Sequence, residues 1–354
     1  MPFEAVHIFA LVRMLGLATL AFGAALALTP VLTHFLYKYR AGKQIRSASL
    51  APIFNALHGK KAGTPTMGGL IIWVTTALIA AFFFAGTYFF GGIFTKLNFV
   101  DRAETYLPLA ALVIAGLLGL LDDVFGILYA HRKGQGFGGA FKMVLFVGVA
   151  AIGAWWFYQK LGWDILRVPL MGNFSIGLWY VPLFMFVIVA SAFSANETDG
   201  LDGLAGGVLL IAFSALCAVS FVLGRYDLAT MIAVICGSLV AFLWFNVYPA
   251  RFFMGDTGSM SLGITLGIIA MLTNTALLLP LFGFVLVLET ASVLVQMTSK
   301  RLFGKKLFHS TPIHHHFESI GWPETKVTMR FWIIAGVMAA FGLAVFFLDR
   351  FMQF

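Results

Sequence analysis

Apolar runs of bilayer length recur along this chain and decide most of what it can fold into. A hydrocarbon core about 30 Å thick takes roughly 20 helical residues to cross. Ten segments approach that length: about 12–36, 66–90, 106–128, 140–158, 178–195, 204–223, 228–245, 257–273, 276–298 and 330–349. Backbone groups in lipid must be bonded within the chain, which restricts spanning structures to helices and closed barrels. The expectation is an all-α polytopic membrane protein, one integral domain over residues 1–354 with about ten transmembrane helices. Between the eighth and ninth spans the only polar break is Thr273-Asn274-Thr275. An outer segment, Arg167–Gly177, carries Pro169 and Gly172 and suggests a small hairpin. The N-terminus lacks the basic region of a signal peptide, so the first span is expected to be retained. Cys217 and Cys236 fall inside apolar runs and imply no disulfide framework.

Charge orients the spans. Sixteen of the 23 Lys and Arg fall in alternate loops, about 37–65, 129–140, 196–203, 246–257 and 299–329 together with the residues beside them. The positive-inside rule makes those loops cytoplasmic and puts both termini outside. The net charge of +8 lies in short loops between spans, which favours membrane lipid and phosphate over nucleic acid as the anionic partner.

Against 60% hydrophobic and 11% charged residues, five aspartates at span ends stand out. A charge at the bilayer centre costs roughly 2.5–3.5 kcal/mol on insertion scales, so acids kept beside spans are functional candidates. Asp122 and Asp123 close one run, where the helix dipole disfavours acids. Asp199 and Asp202 open another, in Asn196-Glu197-Thr198-Asp199-Gly200-Leu201-Asp202-Gly203, a pattern that two Asp-Gly turns would also explain. Asp256, in Gly255-Asp256-Thr257-Gly258-Ser259, is either a helix cap or a hard oxygen ligand for Mg2+. All five fall on the face chosen by Lys and Arg alone. Together they describe an acidic, Gly-lined basin suited to a divalent cation and phosphates.

Weaker signals surround these acids. Phe252 and Phe253 offer a stacking plate for a base. His314, His315 and His316 cannot share one helix face, so donation to phosphate or carboxylate suits them better than one tight metal site. Lys60, Lys61, Thr64 and Thr66 fit ordinary positive-inside charge before a span. Glu289 and Gln296 sit two turns apart on one helix face and fit either an interhelical hydrogen bond or a direct role.

Taken together, these stretches resemble the bacterial phospho-N-acetylmuramoyl-pentapeptide transferases, a branch of the polyprenyl-phosphate sugar-1-phosphate transferases. The matching motifs are GTPTMGG at 63–69, LDD at 121–123, NETDGLDGLA at 196–205, FLWFNVYPARFFMGDTGS at 242–259, ETASVLVQ at 289–296 and TPIHHHFESIGW at 311–322. The triple histidine separates this branch from its sisters. The resemblance implies transfer of phospho-N-acetylmuramoyl-pentapeptide from its UDP carrier to undecaprenyl phosphate in the bacterial inner membrane, with Mg2+. It makes Asp256 the metal ligand, gives Asp122 and Asp123 to the lipid phosphate, and likens Asp199 to the family's essential third acid near the diphosphate, all four being catalytic. Lys61, Asn196, Gly200, Leu201, Asp202, Asn246 and Phe253 line the uridine side. Thr66, Gln296 and His314–His316 complete the substrate contacts, and a homodimer is compatible with it.

The chain departs from the family in three places. Gly126 stands where a Lys is usual, three residues after the second aspartate, leaving Arg132 and Lys133 as the nearest bases. Glu197 replaces an apolar residue, and the loop between Arg46 and His58 is longer. A sister transferase for N-acetylglucosamine-1-phosphate shares the aspartates but not the histidines. A cation-coupled transporter would keep its acids near the midplane on broken helices, not at one face.

Overall fold

The computed structural model describes residues 3–38, 61, 63–128 and 138–352. The order begins with α1 (Phe3–Lys38), α2 (Leu70–Phe89), the short α3 (Ile93–Leu97) and α4 (Ala103–Leu128). After α5 (Gly139–Trp155) comes a hairpin of β1 (Ile165–Val168) and β2 (Gly172–Ser175). Then follow α6 (Tyr180–Thr198), α7 (Leu204–Val222), α8 (Tyr226–Asn246), α9 (Gly255–Leu272), the one-turn α10 (Leu279–Phe282), α11 (Phe284–Phe303), α12 (Ile313–Ser319) and α13 (Glu324–Phe351).

Among the described residues, nine helices are long and apolar enough to cross a membrane. The tenth expected span, 276–298, is helical but displaced. Thr273-Asn274-Thr275 ends α9 as expected, with the Thr273 and Thr275 hydroxyls 2.8 Å apart. Gly283 then interrupts the chain before α11, whose Glu289, Gln296, Lys300 and Arg301 leave it outside the group of nine. The hairpin pairs Ile165 with Ser175 and Val168 with Gly172. It is held to the end of α13, where Asp349 accepts Arg167 Nε at 2.6 Å and the Leu170 N–H at 2.9 Å.

One helix organises the bundle. Every residue of α9 is buried except Asp256. It packs chiefly against α4 and α6, while α1 packs on α8 and α13 on α7. The approach of α4 is close because Gly119 faces the Asp256 backbone carbonyl, where any Cβ would collide. The seam is fastened by Thr257, whose hydroxyl accepts Trp73 Nε1 at 3.0 Å and donates to the Gly116 carbonyl at 2.8 Å.

Candidate active site

Three segments distant in sequence deliver the acids to the start of α9. Gly255 adopts a φ of +74°, a backbone state that favours glycine. A Cβ there would strike the Thr66 hydroxyl and the Asp123 carboxylate. Around this turn Asp199 Oδ2 accepts the Gly255 N–H at 3.1 Å, and Asp123 Oδ2 accepts the Thr257 N–H at 3.1 Å. These bonds satisfy N–H groups that a helix start leaves open. Asp256 meets Asn196, whose Nδ2 donates to Asp256 Oδ1 and, at 3.1 Å, to Ser259 Oγ.

Lys142 completes the cluster. Its ammonium lies 2.7 Å from Asp122 Oδ2 and 2.6 Å from Asp256 Oδ2, joining α4, α5 and α9 at one point. In the sequence Lys142 ranks only behind Arg132 and Lys133, beside the Lys300–Lys306 loop, as a candidate for the lipid phosphate, and it is not among the expected site residues. The available signal was its standing as the only charged residue in 139–155. Arg132 and Lys133, the replacements expected for the family lysine, lie outside the described residues, and Lys142 is a described cation on the first of the paired acids, Asp122. Two carboxylates from different helices thus already converge on one cation. With Asp123 beside them, these carboxylates offer hard oxygens, the donor type that fits Mg2+. Among the described residues no group of three His, Cys, Asp or Glu closes on a common point.

A second group lies beside the first. The 63–69 strip is zipped onto the α8–α9 loop: the Phe253 N–H donates to the Pro65 carbonyl at 2.8 Å, Gly68 N–H to Phe253 O at 2.8 Å, and Gly69 N–H to Met254 O at 2.9 Å. Thr66 points its hydroxyl at Asp123 Oδ1, 3.4 Å away. The Phe253 ring lies 5.8 Å from Lys61 Nζ. Phe252 is fully buried against Phe242 and Phe245, so of the expected stacking pair only Phe253 retains an accessible ring.

Several expected contact residues use their polar groups inside the protein. Asn246 accepts the Gly203 N–H at 3.0 Å and donates to the Phe252 carbonyl at 2.8 Å. Asp202 is buried between Lys61 Nζ, 2.7 Å away, and the Ala250 N–H, 3.0 Å away, and Leu201 is buried beside it. Gln296 binds the Leu307 and Phe308 N–H groups through Oε1 and the Phe308 carbonyl through Nε2. It shapes the loop that leads into the histidines.

Those histidines diverge, as their spacing requires. His314 is fully buried with Nδ1 2.9 Å from Glu289 Oε2, and Gly200 packs directly on the far edge of its ring. His315 pairs with Glu318 at 2.8 Å, and His316 Nδ1 accepts the His309 N–H at 3.3 Å. Burial opposes the charged form of His314, but Glu289, by charge and hydrogen bond, outweighs it, with Glu318 and Glu197 adding to the effect. The net shift is upward.

Comparison with known proteins gives the chain a family. Residues 105–274 match Glycosyl transferase family 4, and residues 61–72 match signature 1 of the phospho-N-acetylmuramoyl-pentapeptide-transferases. With nine apolar helices among its described residues, the chain is a membrane-embedded transferase of that broad family. Within it the chain belongs to the phospho-N-acetylmuramoyl-pentapeptide-transferase family. It is 37% identical to the enzyme of that name from Clostridium perfringens strain 13, over 92% of this chain and 96% of the relative. Identity to the Chloroflexus aggregans enzyme is 35%, over 97% and 92%. For Clostridium beijerinckii it is 33%, over 96% and 98%.

Proposed function

We propose that this chain transfers phospho-N-acetylmuramoyl-pentapeptide from its UDP carrier to undecaprenyl phosphate, releasing UMP and forming the first lipid-linked peptidoglycan precursor. The observation that carries the reading is the meeting of Asp122, Asp123, Asp199 and Asp256 around one helix start, in a chain of this family. Both substrates are anionic, so phosphoryl transfer between them depends on placing the groups in line and neutralising their charge. Mg2+, held by Asp256 with Asp122 and Asp123 beside it, would supply part of that neutralisation. Lys142 contributes fixed positive charge at the same point. Asn196 fixes one Asp256 oxygen and leaves the other facing the cation position. Phe253 and Lys61 offer a ring and a cation to the uridine side.

The cytoplasmic side of the bacterial inner membrane is the face we assign to this cluster, on the strength of the Lys and Arg distribution. The deciding experiment supplies purified protein with UDP-N-acetylmuramoyl-pentapeptide, undecaprenyl phosphate and Mg2+ and measures UMP. Release with that sugar carrier and none with UDP-N-acetylglucosamine is expected; the reverse preference would assign the sister reaction. Light scattering of the same preparation tests the homodimer.

A further inference from the structure

The opening turns of α13 present a single row of side chains to the 199–203 loop. Glu324, Thr328 and Trp332 recur every four residues, the interval that keeps side chains on one helix face. Glu324 Oε1 accepts the Asp202 N–H at 2.7 Å. The Thr328 hydroxyl donates to the Asp202 carbonyl at 3.2 Å, and Trp332 Nε1 donates to the Gly203 carbonyl at 3.2 Å. The same Glu324 oxygen lies 2.5 Å from Lys61 Nζ, which is also 2.7 Å from Asp202 Oδ1. The row is itself immobilised, because the Trp332 indole fills the space that a side chain at Gly207 would need. None of these three residues lies in the segments matched by the two family models, 61–72 and 105–274.

We propose that Glu324, Thr328 and Trp332 are positioning residues that set affinity for the nucleoside half of the substrate without touching it. This inference rests on the proposed function. A lysine ammonium rides on a flexible four-carbon stem and loses much rotamer freedom when it is fixed. Here two carboxylates fix it before any ligand arrives, 5.8 Å from the Phe253 ring centroid and 6.0 Å from that of Tyr248. Glu324 bonds the loop and the cation with one oxygen, so it sets Lys61 and Asp202 in a common frame. Thr328 and Trp332 hold the other polar atoms of the Asp202-Gly203 backbone in that frame.

Glu324→Gln tests this because it keeps the length and an acceptor for the Asp202 N–H while removing one of the two charges that fix Lys61. Its KM for UDP-N-acetylmuramoyl-pentapeptide should rise about tenfold, the scale of one lost charge-assisted hydrogen bond. The kcat and the KM for undecaprenyl phosphate should stay at wild-type values. Lys61→Gln should raise the same KM, and the double variant should add little, since the two residues act as a unit. Trp332→Phe removes only the indole N–H from the row; it should give a smaller rise at an unchanged unfolding temperature. Equilibrium binding of UDP to the same proteins reads the row without turnover. A wild type that binds UDP but releases no UMP would therefore defeat the proposed reaction alone. A merely structural row would lower the unfolding temperatures of both α13 variants with UDP affinity unchanged, and that result overturns the inference. Fully additive effects of Glu324→Gln and Lys61→Gln overturn it as well.

Discussion

Lys142 Nζ lies 2.6 Å from the Asp256 carboxylate across 114 residues of sequence. That pairing puts a fixed positive charge on the one residue of α9 that is not buried. Asp256→Asn should leave the protein folded in detergent while turnover falls by roughly two orders of magnitude, the usual cost of losing one preorganised electrostatic group. Lys142→Gln should weaken undecaprenyl phosphate, seen as a raised KM, more than Arg132→Ala or Lys133→Ala does. Near-normal turnover of Asp256→Asn at saturating Mg2+ would remove the metal role from that residue.

Phe253 is held by backbone bonds on both sides, so its ring can be deleted without releasing the loop. Phe253→Ala should raise the KM for the UDP-sugar by about tenfold or more, since stacking on an aromatic ring is worth roughly 1–3 kcal/mol per base. The KM for the lipid substrate should change less. Equal changes in both would move the uridine site elsewhere.

The His314–Glu289 pair predicts a pH dependence of stability. Because the folded pKa of His314 is raised above 6.5, the pair stabilises fully below that value. The contribution is lost as pH rises through the folded pKa. The unfolding temperature in detergent should therefore fall as pH is raised from about 6 into the alkaline range. Glu289→Gln should flatten this limb of the profile; an unaltered slope in the variant would assign the titration to another group.

Sidedness can be tested without any substrate. The N-terminal end of α2 joins the acid cluster through Gly69 and Met254, and its 20 residues rise about 30 Å. Asn98, beyond its far end, therefore stands at the other side of the bundle. A cysteine placed at Ser310 should be labelled only from the cytoplasm and one at Asn98 only from outside. The opposite pattern would invert the assigned face.

The spans and the acids were legible in the sequence for the same reason. Lipid tolerates few charges, so both the apolar runs and the aspartates that interrupt them carry information. Lys142 and Glu324 were harder to find because each also fits an ordinary role, positive-inside charge for one and an acid in the first turn of a helix for the other. Asn246 and Gln296 show the converse. A polar side chain kept in an apolar bundle must be hydrogen-bonded, whether to substrate or to backbone, and both leave the same mark on a linear chain. Only the fold shows Gln296 spending its amide on residues 307–308. Expectations at Arg132 and Lys133 fall outside the described residues.

The burial of α9 has a consequence for how this protein is made. A helix that meets protein on all sides has no need to be attractive to lipid, and α9 is the least apolar of the nine spans. Its Thr257, Ser259, Ser261 and Thr265 are at home only among neighbours. Such a segment is a weak unit for insertion by itself. Its principal partners, α4 and α6, precede it in the chain, so synthesis delivers the receiving surface before the guest. The helix that carries Asp256 is thus admitted to the membrane by the helices that will share its chemistry.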